Sequence, residues 1–260
     1  MAGPPGLIVV GQYRQGGCAI GLTQPRAVIS LDGEIIGPAS ADGYFFLGFD
    51  RDAPAAATVS AQTDQGVVSY AMTIVPGDFD IQRINGLPQD QVNPTDPALL
   101  ERIKADIALK AAGFASRIDS DGFRTGFTMP LKTWRQSARF GGQRILNGEP
   151  KTPHFGADLA APLGAPILAP APGVVSFSKP DMHFEGGLTM IDHGQGLISL
   201  YLHQSKILVA AGDSVVRGQT IGAVGVTGRT TGPHLCWRLK WRGRNLDPML
   251  MAGLHPSFGR

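Results

Sequence analysis

Short apolar runs broken by glycine turns dominate this chain. They fall at residues 27–31, 44–49, 57–62 and 67–75, separated by Asp32-Gly33, Asp42-Gly43 and Gln65-Gly66. Alternating or apolar runs of this length with such turns predict strands of a β-sandwich of immunoglobulin-like type. The pattern then changes once. Apolar residues recur at Leu100, Ile103, Ile107, Ala111 and Phe114, spacings of three and four, after Asp96-Pro97. Aspartate as N-cap and proline at the first helical position predict the start of one amphipathic helix of about five turns. Its apolar stripe is expected to pack between the two halves of the chain. From Phe127 to about Leu254 the strand pattern returns, with Ile167, Val174 and Val175 as core candidates. Further strands are expected at 188–191, 197–202, 214–216, 220–224 and 235–241, ending at Asp247-Pro248.

The fold expectation is therefore mainly β in three parts. Residues 1–94 form an accessory β-sandwich with no catalytic spacing, 95–118 a helical linker, and 119–260 the half that holds the chemistry. Pro88, Pro94 and Pro97 mark the linker. Composition agrees: 43% hydrophobic residues support a core, while 35 Gly and 20 Pro with only 17% charged residues suit strands and turns. A net charge of +2 without a Lys/Arg run gives no footprint for nucleic acid. No apolar run has the length of a membrane span, and Met1-Ala-Gly-Pro-Pro-Gly-Leu-Ile-Val-Val10 lacks the basic and apolar regions of an export signal. Two cysteines, Cys18 and Cys236, are too few for a disulfide framework, and the motif around Cys236 offers it a better partner than Cys18.

That motif carries the candidate chemistry. His154-Phe-Gly-Ala-Asp158 and His234-Leu-Cys236 bring together imidazole, carboxylate and thiolate, the donors of mixed zinc sites. On a strand, His234 and Cys236 share a face, and two donors there plus two from the earlier segment could converge on one ion. His193, in Asp-His-Gly, reads as a turn residue, His183 as part of a groove-lining loop, and His255 as near a frayed terminus.

Four segments, in order, resemble the LytM/lysostaphin-type zinc metallopeptidases, which cut peptide bonds in peptidoglycan. They are Phe140-Gly-Gly-Gln-Arg144, His154-Phe-Gly-Ala-Asp158, Tyr201-Leu-His203 and Thr231-Gly-Pro-His234-Leu-Cys236. The resemblance covers roughly residues 125 to 250 and implies a LytM-type antiparallel β domain. It implies Zn2+ held by His154, Asp158 and position 236, with His203 and His234 beside the metal handling protons and stabilising the tetrahedral intermediate. It further implies endopeptidase action on peptidoglycan stem peptides in the periplasm or cell envelope.

The family has His where this chain has Cys236. Zinc accepts a thiolate readily, but the thiolate makes the formal charge of the ion with its ligands zero instead of +1. A weaker Lewis acid is the expectation from the ligands alone. The alternative reading is a weak or silent module that binds the wall or activates another cell-wall hydrolase. Four family positions intact, and a metal-binding residue at the fifth, favour the enzyme.

Overall fold

The structure, a computed structural model, describes residues 4–86, 92–93 and 95–258; Met1 to Gly3 and the linker residues Pro88 and Pro94 lie outside the described residues. The N-terminal part contains β1 (Leu7–Gly11), β2 (Cys18–Thr23), β3 (Val28–Leu31), β4 (Glu34–Pro38), β5 (Tyr44–Gly48), β6 (Ala56–Thr63) and β7 (Gly66–Thr73). They build a three-stranded sheet, β1-β2-β5, and a four-stranded sheet, β4-β3-β6-β7. In β6 the period of two is plain: Ala57, Val59 and Ala61 are buried while Thr58 and Gln62 are exposed. Asp32 and Gly33 both take positive φ, 52° and 82°, and join β3 to β4 in a two-residue turn whose twist matches the flanking strands. Leu7, Val9 and Ile20 from one sheet and Ile29 and Val59 from the other are fully buried in one core.

A β-sandwich was expected here, but β1, β2 and β4 were not. The central strand β2 has its first four residues buried, so it shows no alternation to read. Its Gly21 lies under the Phe45 ring, where an added Cβ would meet Cζ at 2.0 Å.

Beyond the sandwich, β8 (Ile81–Ile84) leads to the predicted helix, α1 (Pro97–Ala115). Its start is as the sequence implies: the Asp96 side chain accepts from Ala98 N at 3.0 Å, with Pro97 in the first turn. Its buried face is not. Leu100 is 39% and Ile107 59% exposed, whereas Asp106 and Gly113 are buried. Polar anchors set the helix's rotation. Asp106 accepts from His183 N at 2.6 Å, and Lys110 pairs with the nearly buried Glu185.

The C-terminal part contains β9 (Arg135–Ala138), β10 (Gln143–Leu146), β11 (Glu149–Pro150), β12 (Ala157–Ala160), β13 (Pro166–Leu168), β14 (Gly173–Met182) and β15 (Gly186–Asp192). It continues with β16 (Leu197–Gln204), β17 (Lys206–Ile207), β18 (Ser214–Val215), β19 (Thr220–Ala223), β20 (His234–Trp241), β21 (Arg244–Leu246) and the short helix α2 (Pro248–Ala252). The main sheet runs β18-β14-β15-β16-β20-β12-β9, antiparallel throughout, with β21 paired to β20. Every residue of β15 and β16 is buried, so both faces of the sheet centre are covered.

One face joins the main core. Phe46 of β5 packs edge-on against Phe123 and Trp241, with ring centroids 5.4 Å and 5.8 Å apart. The sandwich and the main sheet therefore share that core, and α1 does not separate them. The other face carries a second cluster: Phe177, Met182, Leu188, Met190, Ile198, Leu200, Leu202 and Cys236. Helix α1 closes over part of it through Phe114, and at Gly113 an added Cβ would meet Phe177 Cβ at 2.8 Å. Both cysteines are free; Cys18 lies 3.5 Å from Met251 Sδ in the main core, where burial pushes its thiol pKa up. Among the described residues no helix is long and apolar enough to cross a membrane.

His193 is a turn residue, as expected, and also a fully buried one. Its Nδ1 donates to Pro172 O at 2.8 Å, and its Nε2 accepts from Ser199 Oγ at 2.7 Å, which in turn contacts Tyr201 Oη at 2.8 Å. Burial, the largest influence, holds its pKa down at about 4 from 6.5. The unfolded chain therefore binds a proton that the folded chain refuses between those values, and stability falls as pH drops from about 6.5 toward 4. The expected loss from this group is on the order of 3 kcal/mol. Denaturant melts at pH 7 and pH 4.5 should show a smaller acid loss for His193→Gln than for the native chain; equal losses would refute the assignment.

Candidate metal centre

The pairing of β12 with β20 builds the site. In that antiparallel register Asp158 stands opposite Cys236 and Ala160 opposite His234. Residues directly opposite have Cβ atoms about 4.5–5.5 Å apart, so the carboxylate and thiol meet across the ladder. His154 reaches in from the loop before β12, held by its N–H to Gly142 O at 2.9 Å. One donor atom each from His154, Asp158 and Cys236 lies within 4.8 Å of the others, a group able to hold a metal ion.

The distances are tighter still. His154 Nε2 is 3.5 Å from Cys236 Sγ and 3.2 Å from Asp158 Oδ1; His234 Nε2 is 3.7 Å from that same oxygen. Asp158 Oδ1 is buried and has no aligned hydrogen-bond donor, although two imidazole nitrogens crowd it. A buried acceptor left unpaired is costly and calls for another partner.

His203 and His234 stand beside this group with ring centroids 4.7 Å apart. Each is tied through Nδ1 to a backbone carbonyl, His203 to Thr227 O at 2.8 Å and His234 to Gly232 O at 2.9 Å. A carbonyl only accepts, so both Nδ1 atoms carry hydrogen and both Nε2 atoms are left for chemistry. His203 follows Leu202, the partner of Cys236 on β16, in left-handed backbone with φ 65°. That conformation costs a residue with a Cβ roughly 1–2 kcal/mol. His203 N–H donates to Glu185 O at 2.8 Å and holds it there. The Thr227 loop can come this close because Gly186 has no side chain; an added Cβ would meet Thr227 Oγ1 at 2.3 Å.

The structure thus brings together all five predicted residues, His154, Asp158, His203, His234 and Cys236. His183 lies against Phe184 in the neighbouring loop, and His255 is exposed near the end of the described chain. Two features were missed from the sequence. One is the set of carbonyls that fix the imidazoles. The other is Arg238, whose Nε donates to Cys236 Sγ at 3.5 Å. The period of two that unites His234 and Cys236 extends to position 238 and was the available signal.

Electrostatics follow from the crowding. Burial works against charge on all three donors. His154 is nevertheless raised to about 9 by Asp158 and Cys236, and Asp158 is lowered to about 2 by His154 and His234. Cys236 falls to about 7, through Arg238 and hydrogen bonds from His154 and His203. His154 Nε2 thus lies between a carboxylate and a thiol that both favour its protonated form.

Residues 152–248 match Peptidase family M23. This part of the chain is an M23 domain. It is 42% identical over 117 residues to the peptidoglycan DD-endopeptidase ShyA of Vibrio cholerae, covering 45% of this chain and 27% of that protein. It is 41% identical over 99 residues to the DD-carboxypeptidase/endopeptidase Mpg of Neisseria meningitidis, covering 38% and 23%. The match spans about a quarter of the length of these relatives. A crystal structure of an M23 peptidase candidate from Pseudomonas aeruginosa has a TM-score of 0.70 and 27% identity, covering 94% of this chain and 96% of that one. Its likeness therefore extends through the sandwich as well as the M23 domain.

Metal uptake by these donors must displace protons, because a ligating imidazole needs its lone pair and a ligating cysteine is a thiolate. His154 holds a proton up to about pH 9 and Cys236 up to about pH 7. Affinity should therefore rise with pH through this range, with about one proton released at pH 8 and about two at pH 6. Calorimetric titration in buffers of different ionisation enthalpy counts them; uptake without proton release would contradict the assignment.

Proposed function

We propose that this protein is a zinc-dependent endopeptidase that hydrolyses peptide cross-links of peptidoglycan, working in the periplasm or cell envelope on stem peptides. One observation carries the reading. Tetrahedral zinc with ordinary bond lengths separates nitrogen from oxygen donors by about 3.4 Å and nitrogen from sulfur by about 3.6 Å. His154 lies 3.2 Å from Asp158 Oδ1 and 3.5 Å from Cys236 Sγ, near those spacings. His154, Asp158 and Cys236 are the proposed ligands.

When bound, zinc supplies a Lewis acid and an activated water at its fourth position. The chain's own residues supply the rest. A neutral imidazole with hydrogen on Nδ1 presents Nε2 as a base, and a protonated one presents Nε2–H as a donor. With both Nδ1 atoms committed to carbonyls, the Nε2 atoms of His203 and His234 are the ones available, one as base and the other as oxyanion donor. A silent wall-binding module has no use for two imidazoles so fixed, which favours the enzyme. Activation of a second cell-wall hydrolase is what remains should the chain prove inactive.

Cross-linked muropeptides incubated with zinc-loaded protein, with a chelated control, test this by mass spectrometry. Zinc-dependent conversion of dimers to monomers is expected; no cleavage by folded, metal-loaded protein would refute the endopeptidase. His203→Ala should lower turnover by about 10²–10⁴-fold, the usual worth of a general acid or base, while metal content stays at the native value. Loss of metal in that variant would make His203 a ligand instead.

A further inference from the structure

β20 is amphipathic in an unusual sense. Its odd positions, Leu235, Trp237, Leu239 and Trp241, are buried in the main core, and its even positions present His234, Cys236, Arg238 and Lys240 on the opposite face. Lys240 lies over the Phe114 ring at 4.7 Å. Arg238 faces Leu200 across the ladder with β16, an apolar residue that offers its guanidinium nothing. Its Nε donates to Cys236 Sγ at 3.5 Å. The two carboxylates of the region, Glu185 and Asp158, attract it through space, but Glu185 pairs with Lys110 and Asp158 Oδ1 lies against His154 and His234. A guanidinium on a sheet face, paired with sulfur rather than carboxylate, needs a reason.

The charge of the proposed centre gives one. With two imidazoles and a carboxylate, zinc and its ligands carry +1; with one imidazole, a carboxylate and a thiolate they carry zero. A guanidinium against the sulfur returns the local sum to +1. An N–H directed at a coordinated thiolate also draws density from sulfur, so less is donated to the metal, and outer hydrogen bonds of this kind tune the ion they surround. We propose that Arg238 is a positioning residue of the metal centre, holding the Cys236 sulfur in place and compensating the charge that a thiolate removes. The inference rests on the reading that Cys236 ligates the metal. On this view Cys236 and Arg238 form one unit, and Arg238 makes a cysteine-bearing centre electrostatically equivalent to a histidine-bearing one.

The unit can be separated by a double-mutant cycle in the full chain, with Co2+ as the probe. Thiolate ligation gives cobalt a near-ultraviolet sulfur-to-metal charge-transfer band. Removing the N–H in Arg238→Met should move that band to lower energy, since an unshielded sulfur donates more readily. Arg238→Lys, which keeps charge but not the planar donor, should restore it in part. Chelator competition then gives metal affinity for the native chain, Cys236→His, Arg238→Met and the double variant. Arg238 should favour metal binding in the cysteine background relative to the histidine background by about tenfold or more, since a guanidinium attracts a thiolate and gains nothing from an imidazole. An unmoved band in both Arg238 variants, together with a cycle that closes without coupling, would overturn the inference while leaving cysteine ligation intact. Absence of any sulfur-to-cobalt band in the native protein would instead overturn the reading beneath it.

Discussion

The register of β12 against β20 decides whether the donors meet at all. Asp158 opposes Cys236 only because Leu159 opposes Leu235 and Ala157 opposes Trp237, and these last four residues are fully buried in the main core. A slip of one residue would turn every side chain of one strand to the other face. It would bring Leu159 and Ala157 out of the core and put Asp158 in, at about 1.5–3 kcal/mol for the leucine and far more for an unpaired carboxylate. The apolar packing of one face thus fixes the chemistry of the other. The sandwich takes part in this lock, because Phe46 packs on Trp241 at the far end of β20 and Gly48 lets Leu246 approach closely.

A second chain of contacts runs from α1 to His203. Lys110 of the helix holds the Glu185 side chain, and Asp106 holds the backbone of His183 two residues earlier. The carbonyl of Glu185 receives His203 N–H, and Gly187 N and Gln204 O both bond the hydroxyl of Thr227, whose carbonyl takes the imidazole of His203. Each link is short and most are shielded from water, so a histidine in a disfavoured backbone conformation is determined by its surroundings several times over. Strain of this kind persists only where neighbouring structure imposes it. The helix therefore does more than connect: its polar inward face, Asp106 and Lys110, belongs to the frame of the site.

That inward face is polar, and the apolar spacing of the helix does not reveal it. The spacing of Leu100, Ile103, Ile107, Ala111 and Phe114 located the helix, and Asp96-Pro97 its first turn. Periodicity ranks faces by hydrophobicity alone, however, and cannot weigh two polar anchors whose partners, Glu185 and the backbone of His183, lie some seventy-five residues away. β2 escaped notice for a related reason, being buried on both faces. The site was legible because its donors sit at strand and loop spacings that survive in one dimension. Its carbonyl acceptors were not, since every residue has a carbonyl and only the fold aims one. His193 shows the boundary: its turn was readable, its buried bond to Ser199 was not.

The cysteine illustrates how far a ligand count can mislead. Counted alone, a thiolate for an imidazole in the proposed centre would lower its charge by one and weaken polarisation of a substrate carbonyl. A charge in a protein acts together with its neighbours, and Cys236 lies on an apolar floor of Leu200, Leu202 and Met190 where little water screens them. Arg238 in contact with the sulfur is then worth more than a surface cation would be, while the same low polarity would make it a liability beside an imidazole ligand. A substitution at 236 without one at 238 would move the centre's charge by a full unit in either direction. On the proposed reading the two positions constrain each other through the face of one strand, where Arg238 Nε meets Cys236 Sγ at 3.5 Å.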